Sequence, residues 1–578
     1  MLPIEETQIN VVDSHEEVEE FFRWLSQSRQ FLAFDTETAG LSPQRDALRL
    51  VQFGDVDTAY VFRADRWLGV AEEVFQKYIG LLVGQNSGFD VRFLKVQGNI
   101  DVSWANMHDT RIMAHILNPN RSTSLKALGA QFLTPQAKRL QGALQGAMAA
   151  QGWSWGTIPF SFSTYTAYAG LDCILTARIA EKFYPEVEAN YKDVYELELQ
   201  VARICSNMEV KGVSIDLPYC KEKYAQILDY CADVEFWCLE NYGVRPSEAQ
   251  QVATKLVSEG VDLSKTTPTG MWAMDKDVLE GLEHPLAKAV LEHRQKTKIG
   301  SSYFQNFLQL HDNGVLHPSI NTLGARTGRM AVNTPALQTI PRGSIVRDAF
   351  LPRSDEHLLS VDYAGIEARL FAHFAAEEEL IRVFHEGFDP HSYTAQQVFN
   401  VETPTKEQRQ VAKGCTFALL FGAGPEKMGI TAGITSEEAK FFMDSYKERF
   451  PGVPRFMKSV DNVAKQRLAA EGTGYVKTPL GRRQVGEKEK LYALVNALIQ
   501  GTAADVFKQA LVNLDNAGYG SNMLLPLHDE ILLSVPSDID IQEVITTMED
   551  RTSFRVPLIC EASGLLERWG DKARAVVG

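Results

Sequence analysis

Arg409-Gln-Val-Ala-Lys413-Gly-Cys-Thr-Phe417-Ala-Leu-Leu-Phe421-Gly422 decides the reading of this chain. Arg409, Lys413, Phe417 and Phe421 recur every four residues, so on a helix they share one slowly drifting face. Two cations one turn apart can hold a polyphosphate, and the arginine fork suits phosphate oxygens. One turn on, an aromatic ring offers a flat face to a base, and Gly422 is placed to end the helix. Such a helix is shaped like a nucleoside triphosphate. Taken alone, the pattern more often describes an amphipathic helix with buried phenylalanines and solvated cations, so the surrounding chain must decide.

At 578 residues the chain exceeds one hydrophobic core and should divide into about three or four domains. Apolar content of 45% and charged content of 23% describe a globular protein. No apolar run reaches membrane-spanning length, and the Glu-rich N-terminus does not resemble a signal peptide. Seven scattered cysteines without a C-x-x-C pattern argue against a disulfide framework or a zinc site. Net charge is −16, and neither residues 1–190 nor the remainder is basic. An acidic exterior still allows a local basic groove along a nucleic-acid backbone. Arg326, Arg329, Arg342 and Arg347 form one locally cationic stretch; Lys477, Arg482 and Arg483 form another.

Residues 28–120 alternate short apolar strands (31–34, 48–53, 59–62) with helical runs, which predicts an α/β domain. A Gly/Gln/Ala-rich stretch at 141–152 reads as a loop. A helix from about Tyr165 runs past Pro185 towards another at roughly 191–210, where the domain boundary is placed. Helices dominate 216–310; strands return at 344–351, 357–361 and 522–527.

After the first strand, Asp35 and Glu37 fall at i, i+2 and point to one face. Gly84-Gln-Asn86-Ser-Gly-Phe89-Asp90 sets an acid before a helical run, and Tyr168 and Asp172 lie at i, i+4 on a helix. Four acids and a phenol are the inventory for two magnesium ions and an oriented water. In this order the motifs resemble those of the DnaQ-like (DEDD) 3′–5′ exonucleases, over roughly residues 20–185. The resemblance implies that Asp35, Glu37, Asp90 and Asp172 hold the metals and that Tyr168 orients the water. His108-Asp109 is read as structural.

A strand at His357–Val361 runs into Asp362-Tyr-Ala-Gly-Ile-Glu367-Ala-Arg369, and two apolar strands flank His528-Asp529-Glu530 as a hairpin. A strand-end Asp, the cationic–aromatic helix and a hairpin acid pair would bring two carboxylates to one triphosphate. These blocks resemble family-A DNA polymerases, such as the bacterial DNA polymerase I large fragment and phage replicases. Thr327-Gly-Arg329, Pro335–Pro341 with Gln338, Asp389-Pro-His391 and Asn496-x3-Gln500-Gly-Thr-Ala-Ala-Asp505 agree with further family motifs. The resemblance covers roughly residues 190–578.

It implies that Asp362 and Asp529 bridge two magnesium ions, with the Tyr363 carbonyl as a further ligand and Glu530 in support. Arg409, Lys413 and His391 are implied to contact the phosphates, with Lys413 protonating pyrophosphate. Glu367 is implied to exclude a ribose 2′-hydroxyl, Phe417 to pack on the incoming sugar and base, and Phe421 to lie on the template side. Arg329, Gln338, Asn496, Gln500 and His528 are implied DNA contacts. The chain departs from the family at Ala364 and Gly365 (usually Ser-Gln), at Thr416 and Ala418, and at Phe421, where a Tyr is usual.

The expected fold is therefore α/β and multidomain: a ribonuclease H-like exonuclease at 1–190, then a right-hand polymerase at 191–578. In the latter, a helical thumb at about 205–320 and helical fingers at about 376–484 flank an antiparallel palm sheet at about 321–375 and 485–578. The expected cofactor is Mg2+, two per site, with Mn2+ as a substitute. Expected partners are primer-template DNA, deoxynucleoside triphosphates and replisome proteins. No 5′ nuclease domain, no large processivity-factor insertion in the thumb and no membrane partner are expected. A monomer is expected, located in the cytoplasm, or in the host cytoplasm if phage-encoded. A single-subunit RNA polymerase shares the palm design, but Glu367 and the exonuclease acids argue against it.

Overall fold

The computed structural model describes residues 3–341 and 344–572; Arg342 lies outside them. The N-terminal sheet has six strands: β1 (Gln8–Val12), β2 (Leu32–Thr38), β3 (Leu48–Gly54), β4 (Thr58–Arg63), β5 (Leu82–Gly84) and β6 (Met107–Asp109). Their order is β1-β4-β3-β2-β5-β6. β3 runs antiparallel to β2 and β4, whereas β1 on β4, β5 on β2 and β6 on β5 are parallel. β2 lies inside the sheet, and Leu32, Ala33 and Phe34 are fully buried. Its polar continuation, Asp35-Thr-Glu37, is thereby fixed at the end of a rigid strand.

The helix Ser163–Asn190 packs across β2, β3 and β4 and carries Pro185 within it. The stretch read as a loop at 141–152 is instead mostly helix, Arg139–Gln151. Ala, Leu, Gln and Met favour helix, Gly142 and Gly146 face open space, and Leu144 and Met148, one turn apart, enter a core with Leu50, Val61 and Tyr165. Tertiary packing outweighs the two glycines.

The second half is built on a four-stranded antiparallel sheet ordered Met523–Leu527, Glu530–Val535, His357–Tyr363, Cys560–Leu566. Its core is continuous with the helices Leu494–Asn516, Ile366–Ala375 and Lys192–Lys211. Six helices between Glu378 and Glu471 form one lobe. Another lobe rises on Leu217–Tyr242 and Pro285–Ile299, whose tip has a separate core around Cys238, Val252, Leu256, Leu286 and Val290.

The strand expected at 344–351 is a short helix, Ser344–Arg347, followed by a two-residue strand, Phe350–Leu351, paired with Ile215 and Ser214. Burial of Val346, Ala349 and Phe350 together, rather than alternation, sets that local shape. Small strands at Val315–Leu316, Ser319–Asn321 and Ala331–Asn333 carry the chain back towards the four-stranded sheet.

The halves interlock. Arg92 pairs with Glu209 at 3.2 Å, and Glu209 also accepts the Ile320 N–H at 2.6 Å. The Tyr195 hydroxyl accepts the Asp109 N–H at 3.0 Å, and Arg111 donates to Asn321 at 2.5 Å. One apolar cluster joins Ile112, Ile116, Leu128 and Phe183 to Val194, Tyr195 and Leu323.

Candidate active sites

The first carboxylate centre lies at the end of β2. Asp35, Glu37 and Asp172 each offer an oxygen within 4.8 Å of the others'. β3 orients Asp35: Gln52 sits opposite it and donates Nε2–H to Oδ2 at 2.6 Å. Asp90, in the first turn of the helix Gly88–Gly98, accepts the Thr36 N–H at 2.9 Å and its hydroxyl at 2.5 Å. It is thus tied to β2 between the other two acids. Asp172 follows Tyr168 by one helical turn.

Burial pushes Asp35 up to about 6. Glu37 and Asp90 are raised well above the carboxylate range, by burial and then by the charge on Asp35. Burial, then Glu37 and Asp35, also raises the Tyr168 phenol. Arg49 donates to the Trp155 and Ile158 carbonyls at 2.6 and 2.7 Å and straps the segment after Gln151 beside the site. Trp155 approaches Tyr168 with ring centroids 6.0 Å apart.

A residue the motifs did not announce, Lys126, enters this centre. It is buried, its ammonium meets Asp172 Oδ1, and it lies 4.1 Å from the Tyr168 ring centre. Burial lowers it to about 8 against the pull of Asp35 and Glu37. The site fits divalent cations: hard oxygen donors converge, and a protein cation already sits among them.

Asp109 serves structure. It caps the helix Thr110–Leu117 by accepting the Arg111 and Ile112 N–H groups, and it accepts the Asn86 and Ser87 N–H groups of the loop before Asp90. His108 stacks on Tyr195 and meets Phe31 and Tyr184 edge-on.

The second centre joins Asp362, near the end of its strand, to the hairpin turn holding Asp529. The Tyr363 N–H donates to the Asp529 carbonyl at 3.2 Å, and Glu530 pairs opposite Asp362. His528 turns the chain with φ of 59°, a left-handed conformation that a non-glycine residue adopts at a cost. Burial raises both Asp362 and Asp529.

The Glu530 side chain points back along the sheet, accepting from Ser360 and from Lys572 at 3.1 Å. Lys572, another residue absent from the motifs, also reaches Asp362 at 3.4 Å. The Tyr363 ring is buried, and its hydroxyl donates to the Met548 carbonyl. Asp362, Asp529 and Glu530 are hard oxygen donors of the kind divalent cations take, with Lys572 beside two of them.

The helix of the opening stretch spans Lys406–Leu420 and starts with a Thr405/Gln408 capping box. It ends as the spacing implies: Phe421 leaves helical geometry, and Gly422 takes φ of 67°. A Cβ at Gly422 would lie 3.0 Å from the Tyr492 ring, so close approach as well as conformation calls for glycine. Asp389 grips the Arg409 fork at 2.7 and 3.1 Å. Burial raises Asp389, but hydrogen bonds from Arg409 and Ser392 outweigh it and hold the carboxyl at about 2. The His391 ring lies 5.7 Å from that of Phe417, and burial lowers its pKa. Phe421 is 47% exposed.

Glu367, in the first turn of the helix Ile366–Ala375, is ion-paired with Arg329. Gln338 donates to the Met330 carbonyl at 3.1 Å. Asn496 and Gln500 line a cavity of about 330 Å3 with Arg326, Thr327 and Gln484, and Arg329 lines a neighbouring cleft with His528 and Asp529. Gly365 takes φ of 63° with open space where a side chain would stand, and the Ala364 N–H donates to the Ile559 carbonyl.

Arg482, read as part of a cationic stretch, is instead 1% exposed and belongs to the core. It pairs with Glu198 and, at 2.6 Å, with Asp505; Lys508 joins Glu198 at 2.5 Å. Its neighbours stay nearer the surface: Arg483 stacks 3.8 Å over Tyr475, Lys477 lies 4.6 Å over Tyr191, Arg347 covers Trp569 at 4.2 Å, and Arg326 meets Glu487 at 3.6 Å. Among the described residues no helix is long and apolar enough to cross a membrane.

Comparison with known proteins finds two family models along the chain. Residues 9–188 match the family model for 3′–5′ exonuclease, and residues 235–571 that for DNA polymerase family A. The DNA polymerases of Mycobacterium phages L5 and D29 are each 30% identical over 560 residues, covering 92% of this chain and 91% of theirs. DNA polymerase I of Chloroflexus aurantiacus is 32% identical over 64% of this chain, which spans 42% of that relative. The solved polymerase domain of Pol1 from M. smegmatis, in complex with DNA primer-template and dNTP, superposes with a TM-score of 0.80. It covers 98% of this chain and 100% of its own at 23% identity, a likeness of fold. The order of the two centres, the antiparallel palm sheet and these matches agree: the chain belongs to DNA polymerase family A and carries a 3′–5′ exonuclease domain ahead of its polymerase domain.

Proposed function

We propose that the chain adds deoxynucleotides to a primer 3′ end at the Asp362/Asp529 centre and removes mispaired nucleotides at the Asp35/Glu37/Asp90/Asp172 centre. The observation that carries this reading is the assembly of two separate carboxylate centres, one at a strand end of each main sheet. The exonuclease is assigned to about residues 1–190 and the polymerase to 191–578, with thumb, palm and fingers bounded as expected from the sequence. Primer-template DNA and deoxynucleoside triphosphates are the proposed partners, the classes bound by the M. smegmatis neighbour.

Asp362, Asp529 and the Tyr363 carbonyl would hold two Mg2+ (or Mn2+) ions; Asp35, Glu37, Asp90 and Asp172 would hold the other pair. Bound there, such ions lower the pKa of a primer hydroxyl or a water and neutralise phosphate charge. The chain's own groups do the rest. Arg409, Lys413 and His391 receive the triphosphate, and Lys413 gives its proton to the departing pyrophosphate. Asp389 holds the Arg409 fork, so the guanidinium meets the phosphates without a search for its rotamer.

Phe417, packed beside His391, supports the sugar and base, and Phe421 presents a ring to the template side. Glu367 stands against a ribose 2′-hydroxyl. Arg329, Gln338, Asn496, Gln500 and His528 follow the duplex, where minor-groove acceptors report pair geometry rather than sequence. Glu530 acts in support, since Ser360 and Lys572 engage its carboxylate. At the first centre, Tyr168 orients the attacking water.

Primer extension with deoxy- and ribonucleotides, on matched and mismatched ends, tests the reading. Extension restricted to deoxynucleotides, with trimming of mismatched ends before extension, is expected. Ribonucleotide use equal to deoxynucleotide use would refute the role of Glu367, and untrimmed mismatches would refute the proofreading role.

A further inference from the structure

The exonuclease centre gathers four acids, and the protein answers them with a buried lysine. Lys126 is the second residue of the helix Leu125–Phe132. That helix cannot rotate freely on the long helix behind it: Leu125 packs with Leu171 and Leu175, and Gly129 has the Ala137 Cβ 2.9 Å from where its own would be. Thr110 holds Gln85, which donates to the Thr123 carbonyl just before the helix. The lysine is therefore aimed by packing. Its Nζ is shielded from solvent, meets Asp172 Oδ1 and faces the Tyr168 ring. Asp172 also offers a carboxylate oxygen within 4.8 Å of those of Asp35 and Glu37. Arg49, the other cation whose charge bears on Glu37, is committed to two backbone carbonyls.

We propose that Lys126 is a resident counter-cation of the exonuclease centre. Its ammonium occupies the place a divalent ion needs between Asp172 and the Asp35–Glu37 pair, and must swing aside for that ion to bind. An ammonium held against Asp172 lowers the negative charge the carboxylates offer a divalent ion, so the lysine weakens ion binding while holding the ion-free acids together. Already 4.1 Å from the Tyr168 ring centre, the ammonium can keep that ring face as it leaves the carboxylates. Ion entry and the setting of the phenol are then one event, and Lys126 is a positioning residue. This inference rests on the reading that these acids hold divalent ions.

The test measures Mn2+ binding to the full chain by electron paramagnetic resonance, with Asp35→Ala as the reference lacking the exonuclease component. In Lys126→Met that component should tighten by about tenfold or more, the scale on which groups around a metal site tune its affinity. The ion-free variant should melt earlier than wild type and gain more from Mn2+, and Lys126→Arg should bind as wild type does. Unchanged or weaker Mn2+ binding in Lys126→Met overturns the proposal. Should that variant fail to fold, reductive methylation of the wild-type protein decides: Lys126 should react faster with Mn2+ present, and equal rates overturn displacement. Loss of no Mn2+ site in Asp35→Ala would refute the metal reading itself, and the proposal with it.

Discussion

Glu198→Gln should destabilise the protein by about 3–5 kcal/mol near neutral pH. Glu198 is fully buried, and its Oε1 is shared by Arg482 and Lys508, both 1% exposed. With Asp505 the cluster is neutral; the substitution leaves one excess buried positive charge. The cheapest relief is loss of the Lys508 proton, which burial already lowers to about 8. Because Lys508 in the parent already titrates near 8, giving up its proton at pH 7.5 adds only about 0.7 kcal/mol relative to the parent, so the range above rests mainly on the carboxylate that Arg482 and Lys508 lose.

The sign follows from the depressed native pKa. Between about pH 6 and 8 the parent keeps the Lys508 proton in both states, while the folded variant has lost it, so the deficit shrinks by about 1.4 kcal/mol per pH unit. Above about 8 the parent also releases its proton, and the two curves run parallel. Urea unfolding followed by circular dichroism across that range measures the slope, and Glu198→Gln combined with Lys508→Met should recover most of the loss. A deficit independent of pH, or a double variant no better than the single, would refute the reasoning. The Arg482 guanidinium lies 2.9 Å from where a Cβ on Gly328 would stand, so the same variant should also weaken binding of primer-template DNA beside Arg329.

Asp529→Ala should abolish primer extension and spare 3′–5′ degradation, and Asp35→Ala should do the reverse; loss of both activities in either variant would sink the two-centre assignment. Phe417→Tyr should ease incorporation of dideoxynucleotides by supplying a hydroxyl near the missing 3′-OH, and unchanged terminator sensitivity would count against the placement of Phe417. His115, brought to about 3 by burial and then by the nearby Arg482 charge, is neutral in the fold. Its contribution is present above about pH 6.5 and is lost at about 1.4 kcal/mol per unit as pH falls from there towards 3. His115→Gln should flatten that acid limb in a melting series, and an unaltered limb would show that other groups set it.

Strand and helix spacing placed the acids at element ends or on one helix face (Asp35 with Glu37, Tyr168 with Asp172, Asp362, and the hairpin turn at Asp529), but their grouping into two centres was read from the resemblance to exonuclease and polymerase motifs. The opening helix and its stop at Gly422 were likewise legible from spacing. What escaped depends on distant partners. Lys126 and Lys572 are single lysines without a motif, and only the fold carries them to carboxylates. Arg482 sits in a run without acids, yet its acids arrive from Glu198 and Asp505, far along the chain. The helix at Arg139–Gln151 hid behind two glycines because its two apolar anchors cannot be told from chance without the wall they meet. The pairing of Arg329 with Glu367 likewise joins two motifs that spacing treats as unrelated.

The joint at Arg92, Glu209 and Ile320 bears on how far this enzyme can be taken apart. Asp90 and Arg92 share one short helix, so the bond that seats an exonuclease acid also stitches that helix to a backbone amide leading to Arg329. A cut near residue 190 would strand a buried Glu209 carboxylate without its guanidinium and bare the apolar seam around Tyr195 and Leu323 on both fragments. Expressed separately, neither piece would inherit a finished surface. Because the halves share this joint, substitutions that loosen the exonuclease half should also loosen the polymerase half, whereas loss of the acids alone would leave the scaffold standing.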